Sequence, residues 1–185
     1  MITMEERTGN LFIKGEKIFL REVDFTDVNE QYLRWMNDRE INQYLESRFF
    51  PQSLEKLEAF VRSMKESKQH VFLAIIDNLA NEHIGNIKLG PIDWIHRRAE
   101  IGFLIGNKSY WGKGYATEAI RLVVQYAFDT LNVHKVTAGC YSTNVGSVKA
   151  MEKVGFMQEG VLKEHCFCNG RYVDIIRFGI IKSEP

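Results

Sequence analysis

Cysteine is scarce in this 185-residue chain: only Cys140, Cys166 and Cys168 occur. An odd number, with two of them spaced C-x-C, builds neither a disulfide framework nor a zinc site, and no metal is expected. Reduced thiols in a cytoplasmic protein are the plain reading. Proline is as rare, with 3 in the chain, and no Pro/Gly/Ser-rich stretch or low-complexity tract divides the sequence. One domain over residues 11–185 is therefore expected, behind a flexible polar lead at residues 1–10. Net charge is lacking too: 24 Lys and Arg offset 24 Asp and Glu, for a formal charge of +0. That balance removes the broad electrostatic footprint of a dedicated nucleic-acid binder. No run approaches the roughly 18 apolar residues of a membrane span. The opening MITMEERTGN has no apolar core of the kind a secretory signal needs. What is present is ordinary: 45% hydrophobic and 26% charged residues, which excludes a disordered chain.

After Gly15 the run Ile18-Phe19-Leu20-Arg21-Glu22-Val23 predicts a strand. Asp24 is placed to cap a helix with Val28, Tyr32, Trp35 and Met36 on one face. A second helix is expected behind Pro51, capped by Ser53, with Leu54, Leu57, Phe60, Val61 and Met64 inward. Three strand candidates follow at 71–76, 84–92 and 99–105. From Gly114 to about Thr130 the stripe Ala116, Ile120, Val123 and Ala127 is helical. A strand at 136–140 precedes a short helix capped by Asn144 and stopped at Gly155, a residue suited to the left-handed position after a helix. Strands at 161–168 and 172–181 close the chain around Asn169-Gly170, a strong hairpin signal. The order β-α-α-β-β-β-α-β-α-β-β predicts one mixed α/β (α+β) sheet of about seven strands flanked by about four helices. Three consecutive strands ahead of the glycine loop do not suit a doubly wound Rossmann sheet.

That loop, within Ile101-Gly-Phe-Leu-Ile-Gly-Asn-Lys-Ser-Tyr-Trp-Gly-Lys-Gly-Tyr-Ala-Thr-Glu-Ala119, joins a strand to a helix start. Small residues at Gly112, Gly114 and Ala116 let a ligand approach the backbone, free N–H groups at a helix start attract an anion, and Thr117 adds a hydroxyl. A phosphate or pyrophosphate suits such a loop. A Walker A loop fails on spacing, because Gly106 lies six residues before Gly112, and Lys113 is followed by Gly114. A dinucleotide fingerprint fails because Thr117 stands at its third small position and the strand–helix–strand frame is missing.

Tyr110-Trp-Gly-Lys-Gly-Tyr-Ala-Thr-Glu-Ala119, followed by Asn144-Val-Gly-Ser-Val-Lys-Ala-Met-Glu-Lys-Val-Gly-Phe156, resembles the GNAT N-acyltransferases. More narrowly it is similar to their ribosomal-protein N-terminal acetyltransferase-like branch. The element order agrees over nearly the whole chain. One departure is Trp111, which stands where the family pattern has Gln or Arg.

The resemblance implies acetyl-CoA as co-substrate and direct transfer to a primary amine. It implies that Phe103, Leu104 and Ile105 hold the pantetheine arm, that Gly112, Lys113, Gly114, Tyr115, Ala116 and Thr117 hold the pyrophosphate, and that Asn144 lies beside the CoA arm. Glu100, facing opposite to Ile101, Phe103 and Ile105, is the candidate base, with a solvated partner of Arg97 or Arg98 as the alternative. Many members carry a tyrosine acid where Met151 stands, so Ser147 becomes the candidate donor to the departing thiolate. Trp35, Tyr44, Arg48 and His165 are the candidate acceptor contacts, with core packing the rival for Trp35 and Tyr44. Arg48 would meet a phosphate or carboxylate on the acceptor. An amino sugar or sugar nucleotide is the first acceptor considered, a peptide N-terminus the second, and a silent CoA-binding fold the third. A homodimer is left open.

Overall fold

The computed structural model describes residues 11–183; the expected lead at 1–10 lies outside them. Eight strands are formed: β1 Leu11–Lys14, β2 Ile18–Glu22, β3 Val71–Asp77, β4 His83–Asp93, β5 Arg98–Ile105, β6 Lys135–Tyr141, β7 Met157–Cys168 and β8 Arg171–Ile181. The helices are α1 Glu30–Asn37, α2 Arg39–Asn42, α3 Leu54–Glu66, α4 Tyr115–Asp129 and α5 Val145–Val154. Among the described residues the strands make one sheet in the order β1-β2-β3-β4-β5-β6-β8-β7, with β5 and β6 its one parallel pair. The mixed architecture agrees with expectation. It exceeds the strand count by β1, a four-residue edge strand, and the helix count by the single turn α2.

Alternation along β2 and β3 sends side chains to both faces, and both faces are covered, so these strands read as nearly continuous apolar runs. Ile18, Leu20, Leu73 and Ile75 pack beneath Ala119, Ile120, Val123 and Ala127 of α4. Phe19, Ala74 and Ile76 pack on the other face with Val61 of α3. Each fully buried side chain of this size stabilises the fold by about 1.5–3 kcal/mol.

Local signals were met closely at most caps. Ser53 caps α3 by accepting from the Lys56 N–H, and Asn144 caps α5 by accepting from the Ser147 N–H. Two expectations are corrected. Asp24 caps only a 3-10 turn over Phe25–Asp27, because the Asp27 carboxylate folds back to the Asp24 N–H and closes that turn; α1 starts later, capped by Asn29. Phe60 does not enter the core. It stays 38% exposed, resting edge-on against Phe72 at the margin of the sheet.

Candidate active site

The parallel strands β5 and β6 pair only over Arg98↔Lys135, Ala99↔Val136 and Glu100↔Thr137. Beyond that, β5 stays with β4 as far as Ile105↔Gly85, and β6 stays with β8 as far as Tyr141↔Ile175. Their C-terminal halves separate, and a cavity of about 1270 Å³ opens between them. Residues 101–105 form one wall, and Gly139, Cys140 and Tyr141 form the other. A crevice beyond the carboxyl ends of parallel strands is where α/β sheets usually bind ligands. Without a strand beside it, this edge of β5 can bond an extended ligand as a partner strand would.

One end of the cavity is made by the glycine loop and the start of α4. Gly112 and Gly114 have φ of 71° and 88°, a left-handed conformation that costs glycine little and other residues more. The first α4 bond runs from the Glu118 N–H to the Gly114 carbonyl, which leaves the N–H groups of Tyr115, Ala116 and Thr117 without helical acceptors. Those groups and the positive end of the helix dipole fit a pyrophosphate. Two tyrosines pin the loop: Tyr110 Oη donates to Glu82 Oε2 at 3.0 Å, and Tyr115 Oη donates to Asp77 Oδ1 at 3.0 Å. Burial and the Glu82 carboxylate push the Tyr110 phenol up to about 12. Trp111 turns its indole N–H to the Ile105 carbonyl at 2.8 Å, so the departure from the family pattern ties the loop to β5.

The other end of the cavity is made of side chains. Glu46, Tyr44, Tyr141, Leu162, His165 and Cys166 line it. Tyr44 Oη donates to the Thr143 carbonyl at 3.0 Å, and its ring lies 5.6 Å from that of Tyr141. Tyr141 Oη donates to Glu46 Oε1 and accepts from Arg48 Nη2. Burial and the Glu46 carboxylate both raise the Tyr141 phenol above its ordinary value. Glu100 sits at the apex, where β5 and β6 part, and Arg177 of β8 reaches it across Gly139 with Nη1 3.1 Å from Oε1. The Cys140 thiol lies in the wall, and burial pushes it up to about 11.

The structure brings most of the expected residues together. Glu100, Phe103, Leu104, Ile105, Gly112, Gly114, Tyr115, Ala116, Thr117, Asn144, Ser147, Tyr44 and His165 all line the one cavity. Met151 lines it too, at the place of the missing tyrosine. Three residues fall elsewhere. Trp35 is 5% exposed and packs among Tyr32, Leu57 and the His83 ring, so core packing replaces the expected acceptor contact. Arg48 lies off the lining, and its guanidinium is spent on the carbonyls of Leu45 and Phe167 and on Tyr141. Lys113 lies outside the lining as well, giving its carbonyl to Lys17 Nζ. Glu46, Tyr141 and Arg177 also line the cavity, and sequence reasoning passed them over. A lone Arg177 within the apolar run Ile175-Ile176-Arg177-Phe178 was a signal for one of them.

Comparison with known proteins agrees with this fold. Residues 17–157 match the model of the acetyltransferase (GNAT) domain. An uncharacterised N-acetyltransferase, p20 of Bacillus licheniformis, is 28% identical over 91% of this chain and 95% of its own. The spermidine N(1)-acetyltransferase of Vibrio cholerae is 30% identical over 82% of this chain and 88% of its own. A crystal structure of spermidine N-acetyltransferase from Vibrio cholerae, in complex with CoA and spermine, superposes with a TM-score of 0.81. The two share 30% identity, and the match covers 90% of this chain and 96% of that one.

Proposed function

Because the chain belongs to the GNAT acetyltransferase family, and is thereby an acetyl-CoA-dependent N-acetyltransferase acting on amines, we propose that its acceptor is a primary amine on a small cationic molecule. The observation that carries this reading is the charge of the acceptor end. Glu46 and Glu100 face the cavity there, and the one arginine on the lining, Arg177, is already paired with Glu100. Carboxylates in a partly enclosed cleft favour an ammonium and oppose a diphosphate. The spermidine activity of the Vibrio cholerae relative points the same way. An acceptor carrying a nucleotide diphosphate would need a cation beside Glu46 and Glu100, where Arg48 is committed to carbonyl groups and Tyr141; the lysines of the lining, Lys149 and Lys153, stand on α5.

In this reading the loop N–H groups hold the pyrophosphate, the β5 edge holds the pantetheine arm, and Asn144 flanks it. Glu100 takes a proton from the acceptor ammonium, directly or through a water, which frees the lone pair for attack. As the new N–C bond forms and the C–S bond breaks, the acceptor nitrogen gives its second proton to water, the Ser147 hydroxyl passes its own to the departing sulfur, and that water returns a proton to Ser147. Arg177 holds the Glu100 carboxylate at the apex.

Initial rates with a linear polyamine, a nucleotide-linked amino sugar and a short peptide N-terminus test the acceptor. The polyamine should give the highest kcat/KM, and its advantage should shrink as salt screens the carboxylates. A preference for the sugar nucleotide or the peptide contradicts the reading.

A further inference from the structure

The glycine loop is held from behind by a turn of the chain nearly a hundred residues earlier. Lys17, in the β1–β2 turn, extends its ammonium to the Lys113 carbonyl, with Nζ 2.9 Å from the oxygen. The same Nζ lies 3.6 Å from where a Cβ on Gly114 would stand and 5.8 Å from the centre of the Tyr115 ring. In a trans peptide the C=O and N–H point in opposite directions. A cation on the Lys113 carbonyl therefore fixes the next N–H, that of Gly114, on the side away from Lys17. Pulling on the oxygen also polarises that N–H and makes it a better donor to an anion.

The turn carrying Lys17 is itself anchored on the loop's helix. Glu118, in the first turn of α4 and 6% exposed, accepts from the Glu16 N–H at 2.6 Å and the Lys17 N–H at 3.0 Å through Oε1. Gly15 has no side chain where one would overlap that carboxylate. The route is continuous: α4 places Glu118, Glu118 places the turn, and Lys17 returns to the loop at Lys113, five residues before Glu118.

We propose that Lys17 and Glu118 are positioning residues that latch the β1–β2 turn onto the glycine loop and preset the Gly114 N–H for the CoA pyrophosphate. The inference rests on the loop holding that pyrophosphate. Neither residue lines the cavity, so the latch acts through the peptide it holds.

Calorimetric titration of CoA and of dephospho-CoA into the full chain tests it. Lys17→Met should weaken both ligands alike by about tenfold, the scale of one hydrogen bond to a charged group. At saturating acetyl-CoA its kcat should be unchanged, and Lys17→Arg should recover most of the affinity. Glu118→Gln should weaken CoA similarly, and the double variant should lose less than the product of the two, since both act through one latch. Unchanged CoA affinity in Lys17→Met overturns the proposal. A loss confined to CoA would make Lys17 a ligand of the 3′-phosphate and also overturns it. Gly114→Asp separates this failure from failure of the loop assignment. That variant should abolish CoA binding whatever Lys17 does, and its retention of affinity in a folded protein would sink the assignment itself.

Discussion

Where the cavity meets α4 it is lined by backbone: Gly112, Gly114, Tyr115, Ala116 and Thr117 present N–H groups, and the side chains of Tyr110 and Tyr115 turn away to Glu82 and Asp77. At the opposite end it is lined by side chains from five separate segments, with Glu46, Glu100, Tyr141, His165 and Arg177 coming from five places in the chain. On the proposed reading, the first end would recognise a fixed ligand through geometry that one short segment makes by itself, and the second a variable ligand through charge and shape that no single segment contains. Changes at the first end should therefore move CoA affinity, and changes at the second should move acceptor selectivity.

The largest effect is expected within the second end, at the apex where β5 and β6 part. Glu100→Gln should lower kcat by about 10²–10⁴-fold, the range typical of losing a general base, with little change in the KM for acetyl-CoA. The wild-type rate should rise with pH as the acceptor ammonium loses its proton. Retention of wild-type kcat from pH 6 to 9 would make the Glu100–Arg177 pair purely structural.

Next comes a residue that separates core from acceptor pocket. Trp35→Ala should cost about 3–5 kcal/mol in urea unfolding, as truncation of a buried aromatic does. Where the variant remains folded, its acceptor KM should match wild type. A raised acceptor KM in a folded Trp35→Phe protein would return Trp35 to the pocket.

The same contrast explains how much could be read from the sequence. Gly112, Gly114, Asn144 and Gly155 were legible because each acts within one turn of its own backbone, through positive φ or a cap; the part given to Ser147 came from the resemblance alone. Alternation along β5 was legible too, and it correctly turned Glu100 away from the face of Ile101 and Ile105, both of which join the core. Arg48 misled because a loop arginine has the same sequence whether it meets a ligand or the Phe167 carbonyl 119 positions away. Glu46 and Tyr141 were missed because their meeting depends on how β6 packs beside the α2 region. Strand β1 was missed because four residues carry too little periodicity to announce a strand.

The smallest expected effect lies away from both ends, where Arg21 grips Asp27 through contacts of 2.6 and 2.7 Å. Burial pushes the Asp27 carboxyl up, but the bond from Arg21, the nearby His83 and the Asp24 N–H outweigh it, so the group sits below its ordinary 3.8. A depressed carboxyl stabilises the fold fully above its unfolded value and loses that contribution as pH falls through its folded value. Unfolding measured at pH 6 and at pH 3 should show wild type losing on the order of 1 kcal/mol more than Asp27→Asn, with unaltered acceptor preference at pH 7. Equal losses in the two proteins would remove the ion pair from the acid response.

The division of the cavity is tested most directly at Glu46, through the ratio of kcat/KM for a linear polyamine to that for a nucleotide-linked amino sugar. Wild type should favour the polyamine. Glu46→Gln should cut that ratio by about tenfold through the polyamine alone, leaving CoA affinity as it was. A wild-type preference for the sugar nucleotide, or a ratio that Glu46→Gln does not move, would contradict an acceptor end selected by its carboxylates.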